Sequence, residues 1–265
     1  MGFGVIIIGD EILSGRRQDK HLSKAIELLS ARGLGLSWAR YVGDDPAMIQ
    51  RELKAALDSG DVVFSFGGIG ATPDDHTRAC AAAAWGRPLV LHPGAAELIL
   101  ERSREMAAQE GRPFFESDPE IQRRLDMGRL PEGAILIPNP YNRIPGFSIG
   151  GRVHFVPGFP VMAWPMVAWV LDHCHAGASM QPAWREKSVI VFEGLESRLS
   201  PLMERIELQF PEIKVFSLPS VDHPQYGRHI DLGVKGPESS LERAFEALMQ
   251  GLIEIGASLG PVLVR

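Results

Sequence analysis

Three short segments place glycines and carboxylates directly after an apolar or extended run: Gly9-Asp10-Glu11, Gly43-Asp44-Asp45, and the stretch from Gly67 to Asp75. The third opens with Gly67-Gly68-Ile69-Gly70. Such a turn lets the backbone approach a ligand closely and aim N–H groups at an anion, while the N-terminus of the following helix adds its positive dipole end. A phosphate is the natural guest. The segment is not a P-loop, because no Gly-Lys-Ser/Thr follows, and not a dinucleotide fingerprint, because Pro73 stands where the third Gly would be. The competing reading is a tight strand-to-helix turn without a ligand.

Asp74 and Asp75 sharpen the first reading. Two carboxylates beside a bound phosphate repel it unless a hard divalent cation such as Mg²⁺ bridges them. Against this, one of the two is expected to cap the helix that runs through Thr77. Asp45, just before Pro46, reads as a cap. Asp44, Asp10 and Glu11 have no capping duty, which makes them candidates for metal, ribose or base contacts, the default being solvated loop carboxylates. Arg16, Arg17 and Lys20 either hold phosphates or form a solvated basic loop. Pro138-Asn139-Pro140 and Pro157-Gly158-Phe159-Pro160 read equally as pocket walls or rigid turns. His173-Cys174-His175 reads as surface, since an i, i+2 pair does not share a helix face.

These segments act together only if the fold gathers them. Val5 to Ile8 is a β-branched run, and Leu22, Ile26 and Leu29 share one helix face after it. Leu34 to Val42 and Asp61 to Phe66 read as the next strands, with a helix opening at Pro46 and an alanine-rich one at about His76 to Trp85. An alternating βα order makes the strands parallel, which puts the three clusters at one edge of the sheet, where such sheets bind ligands. Further elements are expected at Pro88 to Leu91, Pro93 to Glu110, after Asp118-Pro119, at Ala134 to Ile137, and in a hairpin turning at Gly150-Gly151. A last apolar helix spans Val161 to Cys174. The expected organisation is an α/β domain over residues 1–175, a linker over 176–187, and a small α+β domain over 188–265.

Composition excludes several classes. Hydrophobic residues make up 45% and charged ones 23%, an ordinary globular balance. The net charge of −6, without an extended basic face, argues against duplex nucleic acid as partner. Two distant cysteines, Cys80 and Cys174, exclude a disulfide framework and suit a reducing cytoplasm. The longest apolar run, Val161 to Leu171, is well short of the ~20 residues that span a bilayer, so no membrane role is expected.

Taken together, Gly9-Asp10-Glu11-Ile12-Leu13-Ser14-Gly15, Val42-Gly43-Asp44-Asp45 and the run from Gly67 to Thr77 resemble the molybdopterin-binding (MoCF) domain, in its competence/damage-inducible CinA branch. Pro138-Asn139-Pro140, Pro145-Gly146-Phe147 and Pro157-Gly158-Phe159-Pro160 extend the match over residues 3 to 175. The resemblance implies a three-layer α/β/α sandwich with a mostly parallel sheet, a nucleotide or pterin pocket at the glycine turn, and a closed homo-oligomer. In the wider family the pocket supports molybdopterin adenylylation, and CinA-like members cleave pyrophosphate bonds in ADP-ribose or FAD with a divalent metal.

Carried over by motif, Gly67, Gly68, Gly70 and Thr72 would bind phosphate, joined on the substrate by Asp10, Glu11, Ser14, Asp19 and Asn139. Asp75, Asp74 and Asp44 would be catalytic, with Asp75 and Asp44 serving Mg²⁺ or another divalent cation. The amidase domain carried by many CinA proteins is not expected, nor is nicotinamide-nucleotide deamidation, the sequence stopping at Arg265. The chain departs from the pattern at Phe66 (usually Thr), Ala71 (Pro), Asn142-Arg143 (Gly-Thr), His21 (Asn) and Met162 (Glu). The leading expectation is a metal-dependent nucleotide pyrophosphatase or nucleotidyltransferase. The alternatives are a noncatalytic molybdopterin or nucleotide binder and an oligomeric assembly protein.

Overall fold

A computed structural model describes residues 2–177 and 184–264. The chain divides into two compact units, Met1–Ala178 and Ser179–Arg265. The first unit runs β1 Phe3–Ile8, α1 Asp10–Leu13, α2 His21–Ser30, β2 Trp38–Val42, α3 Pro46–Ser59, β3 Val62–Phe66 and α4 Thr77–Trp85. It continues through β4 Leu89–Leu91, α5 Pro93–Gln109, α6 Pro119–Asp126, β5 Arg129–Pro131, β6 Ile135–Ile137, β7 Gly146–Ile149, β8 Val153–Val156 and α7 Pro160–Cys174.

The six-stranded sheet has the order β2-β1-β3-β8-β7-β6. Its first four strands are parallel, and the β6, β7 and β8 neighbours pair antiparallel. Side chains on a strand alternate between faces, and β1 uses both. Ile6 and Ile8 pack with Ile49 and Leu53 of α3 and Ala81 of α4. Phe3, Val5 and Ile7 pack with Ala25 and Leu29 of α2 and Met166, Val167 and Val170 of α7. This is the expected three-layer α/β/α sandwich.

Caps set the helix starts. Asp45 accepts from Met48 N–H at 2.8 Å with Pro46 at the first helical position, and Asp118 accepts from Glu120 N–H at 2.9 Å. Two expectations need correction in this unit. β4 forms but pairs antiparallel with β5 in a separate ribbon, and β5 carries no sequence signal because Arg129-Leu130-Pro131 is too short to show a period. His175 is not a free surface residue: its Nε2 lies 2.8 Å from Nε2 of the buried His154, whose Nδ1 lies 2.6 Å from Ser148 Oγ.

The second unit holds β9 Trp184–Phe192, α8 Glu196–Gln209, β10 Lys214–His223, β11 Gly227–Pro237, α9 Glu238–Glu254 and β12 Ser258–Val264. Its antiparallel sheet has the order β10-β11-β9-β12. Val189, Val191, Leu232 and Val234 pack there with Leu199, Leu202 and Ile206 of α8 and Leu241 and Leu248 of α9. The expected linker over 176–187 is too long, since β9 begins at Trp184 and Arg185, Glu186 and Lys187 already pair with β11. Residues 178–183 of that linker lie outside the described residues. β12 escaped the sequence because Gly260-Pro261 interrupts its apolar run, and the register shifts there between Leu259 and Val262.

Candidate functional site

Parallel pairing brings the carboxyl ends of β1, β2 and β3 side by side. Gly9 N–H donates to Val42 O at 3.0 Å, which joins the first two clusters. Asp10 N–H then donates to Asp44 Oδ2 at 2.9 Å, and Asp44 N–H to Asp10 Oδ1 at 3.2 Å. Gly43 has to be small here, because a Cβ on it would lie 2.5 Å from Asp10 Oδ1.

The glycine turn is held from behind by two residues of α4. Gly67 O accepts from Thr77 Oγ1 at 3.1 Å, and Gly68 O accepts from Thr77 N–H at 3.0 Å. Ile69 O and Gly70 O both accept from one guanidinium nitrogen of Arg78. In a planar trans peptide the carbonyl of one residue and the N–H of the next point in opposite directions. Four carbonyls tied toward α4 therefore turn the N–H groups of Gly68, Ile69, Gly70 and Ala71 the other way, toward the cavity these residues line. None of those N–H groups reaches an acceptor among the described residues. Gly67 (φ 96°) and Gly68 (φ 68°) adopt the left-handed backbone that favours glycine, and a Cβ on Gly68 would lie 2.1 Å from Thr77 Oγ1.

Asp75 closes the far side of the turn. Its Oδ2 accepts from Thr72 N–H at 2.8 Å and from Thr72 Oγ1 at 2.5 Å. It lies across Gly70, where a Cβ would come within 2.6 Å of the same oxygen. Neither Asp74 nor Asp75 caps α4, contrary to the expectation: the N-cap is His76, with no side-chain cap bond. The turn has captured Asp75 instead. The exposed Asp74 carboxyl is held below its ordinary range by the nearby Thr72 hydroxyl and by its own backbone N–H.

The cavity has a volume of about 410 Å³. Gly67 to Thr72, Asp44, Asp74, Asp75 and Glu11 make its polar side, and Met127, Ile144, Phe159 and Met162 its apolar side. Asp10, Glu11, Arg16, Arg17, Asp44 and Asp74 line an adjoining hollow. Asp44 is half-buried, and its carboxyl is pushed above the ordinary range. Burial is the main cause; the Asp10 N–H bond opposes it, and the charges of Asp10, Glu11 and Asp74 add to it.

Not every expected residue lines the cavity. Asp19 is engaged beside the start of α2, accepting from His21 N–H at 2.7 Å, from Leu22 N–H at 3.2 Å and from Tyr41 OH at 2.8 Å. Ser14 accepts from Arg16 Nε at 3.2 Å outside the cavity, and Asp10 reaches only the adjoining hollow. Asn139 does line the wall, but its amide is occupied with Asn142 Oδ1, Ile144 O and Tyr141 N–H. Thr77 and Arg78 are site residues beyond those to which the motif gives a role. Their signal was positional, as the first polar pair of the helix that follows a glycine turn.

Four of the six departures from the family pattern meet in pairs. His21 stacks on Phe66 with ring centroids 4.5 Å apart, and His21 Nε2 lies 3.1 Å from Gly158 O. Asn142 Nδ2 lies 3.6 Å from Met162 Sδ, both at the cavity wall. Each pair joins segments far apart in sequence: the first lines a separate small hollow with Gly158, and the second lines the cavity wall.

A divalent cation fits the donor chemistry here in part. Asp10, Glu11, Asp44 and Asp74 are hard oxygen donors that repel one another at Asp44. Among the described residues no group of three or more His, Cys, Asp or Glu could hold an ion by itself. A cation would have to complete its shell with phosphate oxygens and water, as Mg²⁺ commonly does.

Residues 4–175 match the family model described as "Probable molybdopterin binding domain". A CinA-like protein of Syntrophotalea carbinolica is 30% identical over 221 residues, covering 79% of this chain and 51% of that protein. One from Anaeromyxobacter dehalogenans is 32% identical over 183 residues, 68% of this chain and 42% of that one. The chain thus spans about half the length of these relatives, whereas a Pyrobaculum calidifontis protein, 28% identical, is covered over 94% of its length. Among solved structures, the protein CinA with unknown function from Thermoplasma acidophilum superposes with a TM-score of 0.55 at 26% identity, covering 66% of this chain and 99% of that one. No helix among the described residues is long and apolar enough to cross a membrane. With its glycine turn, its carboxylate-bearing strand ends and these similarities, the chain belongs to the molybdopterin-binding (MoCF) family and resembles its CinA-like members.

Proposed function

We propose that the first unit binds a phosphorylated nucleotide or pterin, with a phosphate in the glycine turn and the ring against the apolar wall, and acts on a phosphoanhydride bond. The observation that supports this most is the set of N–H groups on Gly68, Ile69, Gly70 and Ala71 without a protein acceptor, at the mouth of a cavity large enough for a mononucleotide. A divalent cation, when bound, would offset the phosphate charge, with Asp44 holding it and Asp10, Glu11 and Asp74 around it. Asp75 is reassigned from metal to shaping the turn, because its carboxylate is engaged by Thr72. Arg17 lines the cavity near the Phe159 ring, 5.9 Å from its centroid, and is placed to meet a second anionic group.

Two reactions suit this arrangement. Hydrolysis would add water across a P–O–P bridge to leave two phosphomonoesters, and adenylyl transfer would let a pterin phosphate take the place of water at the α-phosphorus of ATP, with pyrophosphate leaving. The homo-oligomer implied by the resemblance stays part of the proposal, with small-angle scattering as its test. Calorimetry with ADP-ribose, FAD, ATP and molybdopterin, with and without Mg²⁺, tests the site, alongside product analysis. Mg²⁺-dependent binding with phosphomonoester or adenylylated products supports the enzyme. Absence of binding by all four sinks the reading.

A second reading has an observation of its own. Phe66 and Met162 are apolar where the family usually carries Thr and Glu, and among the described residues no preformed metal cluster exists. Metal-free binding without turnover would make the chain a noncatalytic binder.

A further inference from the structure

We propose that Arg78 is the positioning residue of the glycine turn: by donating to the carbonyls of Ile69 and Gly70 it fixes the outward N–H groups of Gly70 and Ala71, and its charge reaches the anion through those peptides. This rests on the phosphate reading of the cavity and deepens it, since it names what makes the turn attractive to an anion.

Three observations carry the assignment. The geometry comes first: Thr77 holds the carbonyls of Gly67 and Gly68, so without Arg78 the second half of the turn would keep no tie to α4. Exposure follows. Arg78 is half-buried behind the turn and does not line the cavity, so its charge acts through the backbone and not by direct contact. Compensation is the third: among the described residues no carboxylate forms an ion pair with Arg78, and Asp75 and Asp126 act on it only at longer range. Asp75 is engaged by Thr72 and Asp126 by Arg129. Burial accordingly weakens the hold of the guanidinium on its proton, the mark of a cation short of counter-charge. An anion against the turn supplies that counter-charge, and dipoles of fixed peptides between the two transmit it.

The test compares Arg78→Lys, which keeps the charge, with Arg78→Met, which keeps the packing and helix propensity but removes charge and donors. ADP and adenosine are the probes, titrated into the full chain by calorimetry. Arg78→Met should lose about ten- to hundred-fold in ADP affinity, the scale for a lost charge-assisted hydrogen-bond pair, with adenosine changed less than about threefold. Arg78→Lys should fall between Arg78→Met and the parent. In the free protein, ¹⁵N order parameters at Gly70 and Ala71 should drop from about 0.85 toward 0.6 in Arg78→Met. Equal losses for ADP and adenosine, or Arg78→Met binding ADP as the parent does, would overturn the charge role. Unchanged order parameters would overturn the positioning role, and that measurement needs no ligand. A parent chain that binds neither probe sinks the phosphate reading instead, with the order parameters still deciding on Arg78.

Discussion

Asp10 and Asp44 exchange hydrogen bonds reciprocally, each backbone N–H donating to the carboxylate of the other at 2.9 and 3.2 Å. Two negative side chains are thereby locked against each other at the ends of neighbouring parallel strands. The backbone dipoles permit the pairing, yet burial above all, with the repulsion of neighbouring carboxylates added, makes Asp44 hold its proton more tightly than an ordinary carboxylate.

A stability prediction follows from that sign. A carboxyl with a raised folded-state pKa contributes stability that is present below its unfolded value and is lost as the pH rises through the folded one. Asp44→Asn removes the charge and keeps an acceptor for Asp10 N–H, so at neutral pH the variant should melt higher, by about 1–3 °C. The gain should vanish as the pH falls through the ordinary carboxylate range. Any Mg²⁺-dependent turnover should be lost in the same variant. Calorimetric melting from pH 3 to 8 checks the first part, and a melting point that drops at pH 7 would refute it.

Gly70 and Gly68 should respond differently. Gly70 has no left-handed backbone, and its absent Cβ only leaves room for Asp75. Gly70→Ala should therefore fold normally while pushing Asp75 off Thr72 and weakening ADP binding about tenfold. Gly68→Ala adds left-handed strain and strikes Thr77 Oγ1, so it should cost about 2 kcal/mol or more of stability. Urea denaturation of both separates a ligand-binding glycine from a folding glycine. Equal loss of stability would show the distinction to be false.

Asp45 and Asp75 are a control pair. Asp45 caps α3, so Asp45→Ala should cost about 1 kcal/mol while Asp45→Asn costs almost nothing, and turnover should survive in both. Asp75→Asn retains an oxygen for Thr72 and removes a charge at the edge of the cavity. It should keep metal-free ADP affinity within about threefold while lowering turnover, a pattern a pure capping residue cannot produce. Stopped assays with ADP-ribose read the turnover, and full activity in Asp75→Asn would remove Asp75 from the chemistry.

His154 predicts an acid-sensitive core. Burial, aided by the charge of His175, drives its pKa down to about 3. An unfolded histidine takes up its proton near 6.5, so as the pH falls from there toward 3 the unfolded state binds more protons than the folded one and stability declines, by up to about 1.4 kcal/mol per pH unit. His154→Gln should be less stable at pH 7, through weakened bonds to Ser148 and His175, but should show a shallower decline in acid. Parallel slopes for the two proteins between pH 6.5 and 4 would count against this.

Local pattern carried the outline of the fold. Alternating β-branched runs and helical periods are set by residues near one another, which is why the βα order, the Asp45 and Asp118 caps and the glycine turn could be read directly. The parallel order of β1, β2 and β3 followed from connection rules, and with it the gathering of the three clusters at one edge. β5 and β12 were not legible, because three residues or a Gly-Pro break leave no period to detect.

What the site does with its polar groups was decided in three dimensions. Whether a carboxylate caps a helix, shapes a turn or faces a cavity depends on which donors arrive beside it. Asp75 met Thr72, Asp19 met Tyr41, and Asp44 met Asp10 across 34 residues of sequence. The same holds for His21 and Phe66, two separate oddities in the sequence that are one stacked pair in the fold. A sequence specifies periods and local caps through neighbours along the chain. Charge repulsion, burial and the direction of an N–H group arise from neighbours in space, and only the packed structure supplies those.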